Sequence, residues 1–295
     1  MTVLGAVPSA RLGRIMPHEH VLCDLRSPSG PLADTEGALE DLRTLKSVGG
    51  STVVELTSQN LGRQPAQLRD LSEQSGVHIV MGSGWYRESF YDEDFNKVTI
   101  SELADRLTND ITEGEGGVRP GIIGEIGADH SWVSAVEERV LRACARVQKQ
   151  TGLGLVLHAV MSEVGWWQLD VLDDEGVDLR RVAVGHCDSY PDVDYHERIA
   201  KRGALVMYDL HSLRNEEFQL KRIVNTVELV KRGYGAHLLL SHDVCTPNGR
   251  RANGGPGYSY VITDTVPQLV EAGVPADVTE QIMAENPLQL LTGRR

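Results

Sequence analysis

Short apolar runs alternate along the chain with longer segments in which apolar residues recur at every third or fourth position. The short runs are rich in Val, Ile and Leu, as buried β-strands are. Eight of them are predicted as strands: residues 15–22, 51–56, 77–81, 121–126, 154–158, 181–186, 204–208 and 237–243. The longer segments predict amphipathic helices, one of them between the sixth and seventh strands and the others at residues 34–48, 65–74, 100–111, 133–150, 166–174, 216–231, 262–272 and 276–284.

A strand followed by a helix is the repeating unit of parallel sheets. Eight such units in 295 residues predict a single domain, residues 1–295, with an α/β fold of the (β/α)8 TIM barrel type. An open, doubly wound sheet is the alternative, but no GxGxxG motif follows a strand, which disfavours a dinucleotide site. Because barrels build their sites at the carboxyl ends of the strands, the residues that end each run are the candidates for function.

The first strand carries two histidines, His18 and His20, separated by Glu19. Side chains alternate between the two faces of a strand, so both imidazoles point one way and Glu19 points the other. Neutral imidazole is a common ligand of divalent metals, and two on one strand can share an ion. Taken alone the pair is weak evidence, since two surface or pocket histidines would look the same.

Four further strands end in a residue of the ligand type: Glu125, His158, His186 and Asp243. Each has an ordinary structural explanation, such as an ion pair, a core histidine or, for Asp243, a helix N-cap. Together they place ligand types at the ends of five of the eight predicted strands, which unrelated roles would not do. The six groups are enough to hold two divalent ions bridged by a carboxylate and a hydroxide.

Composition limits the partners of the protein. The formal net charge of −13 argues against nucleic acid or an anionic membrane as a partner. No apolar run approaches membrane-spanning length, and the first residues lack the pattern of a signal peptide. The four cysteines are scattered and form no CxxC pair, which fits a reducing environment. We therefore expect a cytoplasmic protein that acts on a small molecule.

The ordered set of motifs resembles the phosphotriesterase family of the amidohydrolase superfamily, from about Gly13 to the end of the predicted barrel. In chain order the motifs are His18-Glu19-His20, Gly124-Glu125-Ile126-Gly127, His158, Gly185-His186-Cys187-Asp188, Leu240-Ser241-His242-Asp243 and Asn286-Pro287. The resemblance implies a (β/α)8 barrel with two divalent metal ions, with zinc as the expected metal. It also raises the possibility of a homodimer.

By this likeness His18, His20 and Asp243 would hold the more buried ion. His158 and His186 would hold the more exposed ion, and Glu125 would bridge the two. Many members of the family carry a carboxylated lysine at the bridging position, whereas others carry glutamate. Both groups present a pair of carboxyl-type oxygens to the metals.

The expected function is that of a metal-dependent hydrolase in which a metal-bridging hydroxide attacks the substrate. Asp243 would act as the general acid and base, and no GxSxG nucleophile motif is present. A lactone or carboxylic ester is favoured, including a sugar lactone with an anionic group. An organophosphate is the alternative, weakened because residues 208–211 do not reproduce the histidine proton shuttle of the paraoxon-hydrolysing members. A metal-containing binding protein without turnover is a third hypothesis.

Two loops supply candidates for substrate binding. Trp85 and Tyr86 follow the third strand in a glycine-rich loop, where a pocket wall and core packing are equally plausible. Arg250, Arg251 and Tyr258 follow Asp243, where solvent-exposed charge is the default interpretation. The more specific hypothesis is a binding site for a carboxylate or phosphate group of the substrate, because a guanidinium group can donate two parallel hydrogen bonds to such an anion.

Overall fold

A computed structural model describes residues 1–293, in which eight parallel strands form one sheet in chain order, β1 to β8. Each strand pairs in parallel with the next. The strands are β1 Arg14–Glu19, β2 Gly50–Glu55, β3 His78–Ser83, β4 Ile122–Gly127, β5 Leu155–His158, β6 Val182–Gly185, β7 Leu205–Tyr208 and β8 Leu238–Leu240. This arrangement confirms the predicted (β/α)8 barrel.

Helices follow the strands around the outside of the sheet. They are α1 Thr35–Ser47, α2 Pro65–Ser75, α3 Ile100–Glu113, α4 Ala135–Thr151, α5 Val164–Asp174, α6 Val193–Lys201, α7 Glu216–Lys231, α8 Val266–Glu271, α9 Ala276–Glu280 and α10 Asn286–Thr292. The predicted elements are all present, with shifted ends. Within residues 1–293, no helix combines the length and the apolar character that a membrane span requires.

β8 ends at Leu240, three residues before its predicted end at Asp243. Beyond Leu240 the chain bonds across to β1: Ser241 Oγ accepts from the backbone N–H of His18 at 3.0 Å. The N–H of Asp243 donates to the carbonyl of His18 at 3.2 Å. These bonds join the last strand segment to the first and bring Asp243 beside the paired histidines.

The interior of the barrel is apolar toward the amino ends of the strands. One buried cluster takes a side chain from every strand, including Ile15, Val80, Ile122 and Leu239, and is closed below by Leu290 of α10. A second, larger cluster lies between the strands and the surrounding helices. The polar ligand candidates therefore occupy only the carboxyl end of the barrel, above an apolar floor.

Irregular strand pairing turns two of the candidates inward. In β1, Ile15 lies in the interior cluster and Met16 in the outer one, so strict alternation would send His18 outward. A register shift between Met16 and Glu19 reverses this alternation. In the same way, a shift between Ile123 and Ile126 of β4 lets Glu125 face the interior.

Gly82 of β3 is required where the backbones of three strands approach closely. A Cβ atom there would lie 2.4 Å from the carbonyl oxygen of Gly124 and 3.1 Å from that of Glu55. We predict that Gly82→Ala lowers the free energy of unfolding by about 1–3 kcal/mol, because the backbone beside Glu125 must move to admit the methyl group. Denaturant unfolding measures this loss.

Gly235→Ala is the matched control, since its Cβ would meet only Val278 at 3.1 Å and Val230 at 3.6 Å, both through side-chain methyl groups. We expect a smaller loss of stability there. Equal losses in the two variants would contradict the close-approach argument.

Candidate metal centre

All six predicted ligands converge at the carboxyl end of the barrel, and none is more than 9% exposed. Three sets of donor atoms lie within 4.8 Å of one another: His18 with His20 and Glu125, Glu125 with His158 and His186, and His18 with His186 and Asp209. Glu125 belongs to the first two sets. The structure thus forms two adjoining groups of donors that share one carboxylate.

The carboxylate of Glu125 lies at the centre of the cluster. Its Oε1 is 2.7 Å from His158 Nδ1 and 2.8 Å from His186 Nε2. The same oxygen is 3.7 Å from His18 Nε2, and Oε2 is 3.9 Å from His20 Nε2. One side chain therefore faces all four imidazoles.

Asp243 completes the group on the side of the paired histidines. Its Oδ1 lies 3.3 Å from His20 Nε2 and 3.8 Å from His18 Nε2. The backbone of Asp243 is left-handed, with φ of 51°, a conformation that Asp adopts more readily than most residues. His186 also has a left-handed backbone, with φ of 56°. The turn after each strand therefore directs these two side chains toward the cluster.

Asp209, which directly follows β7, orients two of the imidazoles. Its Oδ2 accepts from His18 Nδ1 at 2.7 Å, and its Oδ1 accepts from His186 Nδ1 at 2.9 Å. The backbone N–H of His186 donates to the same Oδ1 at 2.9 Å. With the proton held on Nδ1, the lone pair of each Nε2 faces the centre of the cluster, as a metal ligand requires.

His20 is oriented by a second buried relay. Its Nδ1 donates to Thr57 Oγ1 at 2.9 Å, and the Thr57 hydroxyl donates in turn to Glu55 Oε1 at 2.5 Å. His158 is turned the other way, with Nδ1 inward and Nε2 3.4 Å from the hydroxyl of Tyr86. Each of the four imidazoles therefore directs one nitrogen at the cluster and is held through the other.

The donor set fits divalent metals of the zinc type, which bind imidazole nitrogen and carboxylate oxygen. The strongest single observation is His18 Nε2, which is buried and has no hydrogen-bond partner among the described residues. A buried nitrogen without a partner is costly unless something binds its lone pair. A metal ion at this position would satisfy it.

The electrostatics of the protein without metal point the same way. Burial lowers the pKa of His18, but the carboxylates of Glu125, Asp209 and Asp243 outweigh it and raise the pKa to about 9. Burial raises the pKa of Glu125, yet His158 and His18 bring it well below its usual value. The cluster is thus built to attract positive charge, and a metal that takes His18 Nε2 must displace a proton there.

Sequence reasoning missed Asp209 as a functional residue. The available signal is its position, because Asp209 directly follows a strand, as His186 does. Glu19 points away from the paired imidazoles, as predicted, and His242 lies with it. Glu19 Oε1 accepts from His242 Nδ1 at 2.6 Å and from the backbone N–H of His242 at 2.9 Å.

The residues expected to bind substrate are placed differently from one another. Tyr86 reaches His158, as described above, and lines an open cleft. Trp85 packs in the core, with its ring 5.7 Å from that of Phe95. Of the two interpretations of this residue, core packing is the one that describes its main contact.

Arg250 and Tyr258 do not face this cleft. Arg250 is 1% exposed and donates to Tyr258 Oη and to the carbonyl of Val21. Tyr258 Oη donates to the carbonyl of His20 at 2.8 Å. The expected direct contact with an anionic substrate does not agree with this placement, because both side chains are used to hold the backbone after β1. Arg251 is exposed.

The open cleft lies on the His158 side of the cluster, between the loops that follow β3, β4 and β5. Its volume is about 460 Å³, and its walls include Tyr86, Arg87, Asp129 and Met161. Glu137 of α4, which is buried, joins the first two loops: its Oε1 accepts from the backbone N–H of Asp129 at 2.8 Å and from that of Glu88 at 3.4 Å. A small molecule in this cleft would lie directly against a predicted ligand.

Comparisons with known proteins agree with this geometry. The sequence profile of the phosphotriesterase family matches residues 1–291. The chain is 32% identical to the phosphotriesterase homology protein of Escherichia coli (strain K12) over 286 residues, which cover 94% of this chain and 97% of that protein. It is 30% identical to the N-acetyltaurine hydrolase of Homo sapiens over 340 aligned positions, which cover 99% of this chain and 97% of the relative.

Solved structures share the fold over nearly their whole length. A crystal structure of the Escherichia coli protein, complexed with phosphate in its active site, superposes with a TM-score of 0.91 at 30% identity, covering 96% of this chain and 99% of that one. A mutant of a phosphotriesterase-like lactonase from Deinococcus radiodurans gives a TM-score of 0.86 at 29% identity, covering 99% of each chain.

The position of Asp209 leads to a prediction about metal affinity. Asp209→Asn replaces an acceptor carboxylate with an amide, so His18 and His186 lose the charge that fixes their protonated nitrogen. We expect metal affinity to fall about 10- to 100-fold. Competition with a chelator measures it.

Glu19→Gln is the matched control, because Glu19 is equally buried but bonds to His242 instead of to a predicted ligand. It should lower stability and keep metal affinity. Unchanged affinity in Asp209→Asn, or an equal loss in both variants, would contradict the orienting role.

Proposed function

The chain belongs to the phosphotriesterase family, and from this premise we propose that it is a binuclear-metal-dependent hydrolase of a small carboxylic ester or lactone. The observation that carries the proposal is the sharing of Glu125 between two groups of donors, together with the unpartnered Nε2 of His18. That arrangement suits two cations side by side and has no evident use without them.

The ligand assignment follows the two donor groups that share Glu125, with Asp243 added because its Oδ1 lies 3.3 Å from His20 Nε2. His18, His20 and Asp243 would hold one ion, His158 and His186 would hold the other, and Glu125 would serve both. Zinc is the proposed metal, because nitrogen-rich sites with carboxylate oxygen suit it. When bound, the two ions acidify a water molecule and polarise the scissile carbonyl group.

Residues of the chain would orient the ligands and transfer the proton. Asp209 and Thr57 keep the histidine tautomers fixed, so that the ligand geometry is set before substrate arrives. Burial raises the pKa of Asp243, but the hydrogen bond from His20 and the neighbouring His18 lower it below its usual value, so it is ionised at neutral pH. Asp243 can therefore accept the proton of the attacking water and return it to the leaving group.

The choice of a carboxyl centre rests on the relatives and on the position of His211. One Deinococcus radiodurans structure is named a lactonase and two others an organophosphorus hydrolase, whereas the human relative is named for hydrolysis of N-acetyltaurine. His211, the histidine nearest the place of the phosphotriesterase shuttle, is buried and bonds to Thr265 at 3.2 Å instead of reaching Asp243. Phosphotriester hydrolysis is the second candidate, and a binding protein without turnover is the third.

Metal removal tests the first part of the proposal. We expect two equivalents of zinc or another transition metal per chain by elemental analysis. Dialysis against a chelator should abolish ester hydrolysis, and added zinc should restore it, because the proposed nucleophile is a metal-activated water and the sequence has no GxSxG nucleophile motif. Protein that holds no metal after metal-supplemented expression would refute the binuclear assignment.

A substrate panel tests the second part. We expect the best member of a series of small lactones and nitrophenyl esters to exceed paraoxon in kcat/KM by at least about tenfold, since discrimination follows differential binding in the cleft. N-acetyltaurine belongs in the same panel. Paraoxon as the best substrate would favour the second candidate, and no turnover by the metal-loaded protein on any member would favour the third.

A further inference from the structure

We propose that Arg87 forms an anion-binding subsite beside the metal centre, so that the substrate carries a carboxylate, sulfonate or phosphate group in addition to its hydrolysable bond. The inference rests on the proposed hydrolase function, and it deepens that function by naming a feature of the substrate. It also moves the expected anion site from the loop after β8 to the loop after β3.

The guanidinium of Arg87 lies on the wall of the cleft, close to the predicted ligands. Its Cζ is 5.0 Å from the centroid of the Tyr86 ring. The hydroxyl of that ring is 3.4 Å from His158 Nε2. Arg87 and His158 line the same cavity of about 460 Å³, which is large enough for a small substrate that touches both.

The side chain is held in place by its inner end. Arg87 Nε forms an ion pair with Asp129, 3.3 Å from Oδ1 but without hydrogen-bond geometry. The Asp129 carboxylate is itself fixed, because it accepts from the backbone N–H of Ser89 at 2.5 Å and from Ser89 Oγ at 2.9 Å. Neither terminal nitrogen of Arg87 donates a hydrogen bond within residues 1–293. The two outer donors are therefore available together, in the geometry that binds a carboxylate or sulfonate in bidentate fashion.

A second arginine lies beside the same aromatic ring as Arg87 and adds positive charge near the cleft. The Cζ of Arg26 is 4.9 Å from the centroid of the Phe90 ring, and the Cζ of Arg87 is 5.4 Å from it. The backbone N–H of Arg26 donates to Asp24 Oδ1 at 2.8 Å, but its guanidinium group forms no ion pair with a carboxylate in the part of the chain that the structure describes. Two guanidinium groups over one buried ring stand out in a protein with a formal net charge of −13.

The cleft also includes exposed apolar residues from the loop after β5. Met161 is 76% exposed and Val160 37% exposed, and both line the cavity. Trp132, which is 57% exposed, stacks on His130 with 4.4 Å between the ring centroids. A substrate that suits these residues has an anionic group for Arg87 and an apolar portion for Val160 and Met161, with its scissile bond near His158.

The test compares two esters that differ in one charge: 4-acetoxybenzoate, which is an anion at neutral pH and whose carboxylate cannot reach its own acetyl group, and its neutral methyl ester, with release of the phenol as the readout. In zinc-loaded Arg87→Met, we expect kcat/KM for the anionic ester to fall about 10- to 100-fold, through KM, because a charge-assisted hydrogen bond is lost. The neutral ester should be hydrolysed as by the parent protein. Arg87→Lys should recover part of the loss.

Arg106→Met is the matched control, since it removes an exposed arginine from α3, outside the cleft. Metal content measured for each variant shows that the centre is intact. Equal losses for both esters, or a loss that Arg106→Met reproduces, would overturn the subsite.

Binding without turnover separates this proposal from the proposed function. Ethanesulfonate is the probe, because it offers a sulfonate but no hydrolysable bond, and saturation-transfer NMR detects weak binding of such a molecule. Binding that disappears in Arg87→Met supports the subsite even if neither ester is hydrolysed, in which case the hydrolase proposal alone fails. Ethanesulfonate binding that is absent from the parent protein or unchanged in Arg87→Met refutes the subsite.

Discussion

A centre for two cations needs imidazoles that present bare nitrogen atoms to one point, and Asp209 imposes that condition on two of them at once. Its two oxygens take the Nδ1 protons of His18 and His186, which come from opposite groups of donors. The orientation of one group therefore depends on the same carboxylate as that of the other. β7 supplies no predicted ligand, yet it fixes the geometry of ligands from β1 and the end of β6.

The balance of charge follows from this arrangement. Glu125, Asp209 and Asp243 are all buried, and burying a carboxylate is costly unless positive charge or hydrogen bonds compensate it. In the protein without metal the histidines supply part of that compensation by binding protons, as the raised pKa of His18 indicates. Divalent cations would take over the same role, so the apolar floor of the barrel carries a polar layer whose stability depends on what it binds.

The sequence was sufficient for the fold and for the ligand candidates because both depend on short-range patterns. Apolar runs alternate with amphipathic segments, and ligand-type residues stand where the runs end. The bridging position of Glu125 was implied only by family resemblance, since its inward direction depends on a register shift in β4 that no local pattern reveals. The left-handed backbone conformation of Asp243 is likewise not indicated by any local sequence pattern.

Loop residues were harder to assign, because the direction of a side chain in a loop is set by tertiary contacts. Arg250 and Arg87 are both arginines in loops after strands. The first is buried against the carbonyl of Val21, whereas the second is held by Asp129 at the edge of an open cleft. Nothing in the local sequence of either distinguishes a structural donor from one available to a ligand.

The two oxygens of Glu137 have a consequence for how the specificity of this scaffold can change. One accepts from the loops after β3 and β4, and the other from the backbone N–H of Ser134 at 2.9 Å, at the start of α4. One side chain thus connects the three chain segments that form the rim of the cleft. Exchanging one loop with that of a homologue would remove some of these hydrogen bonds, whereas a chimera that transfers both loops with the first turn of α4 would keep all of them.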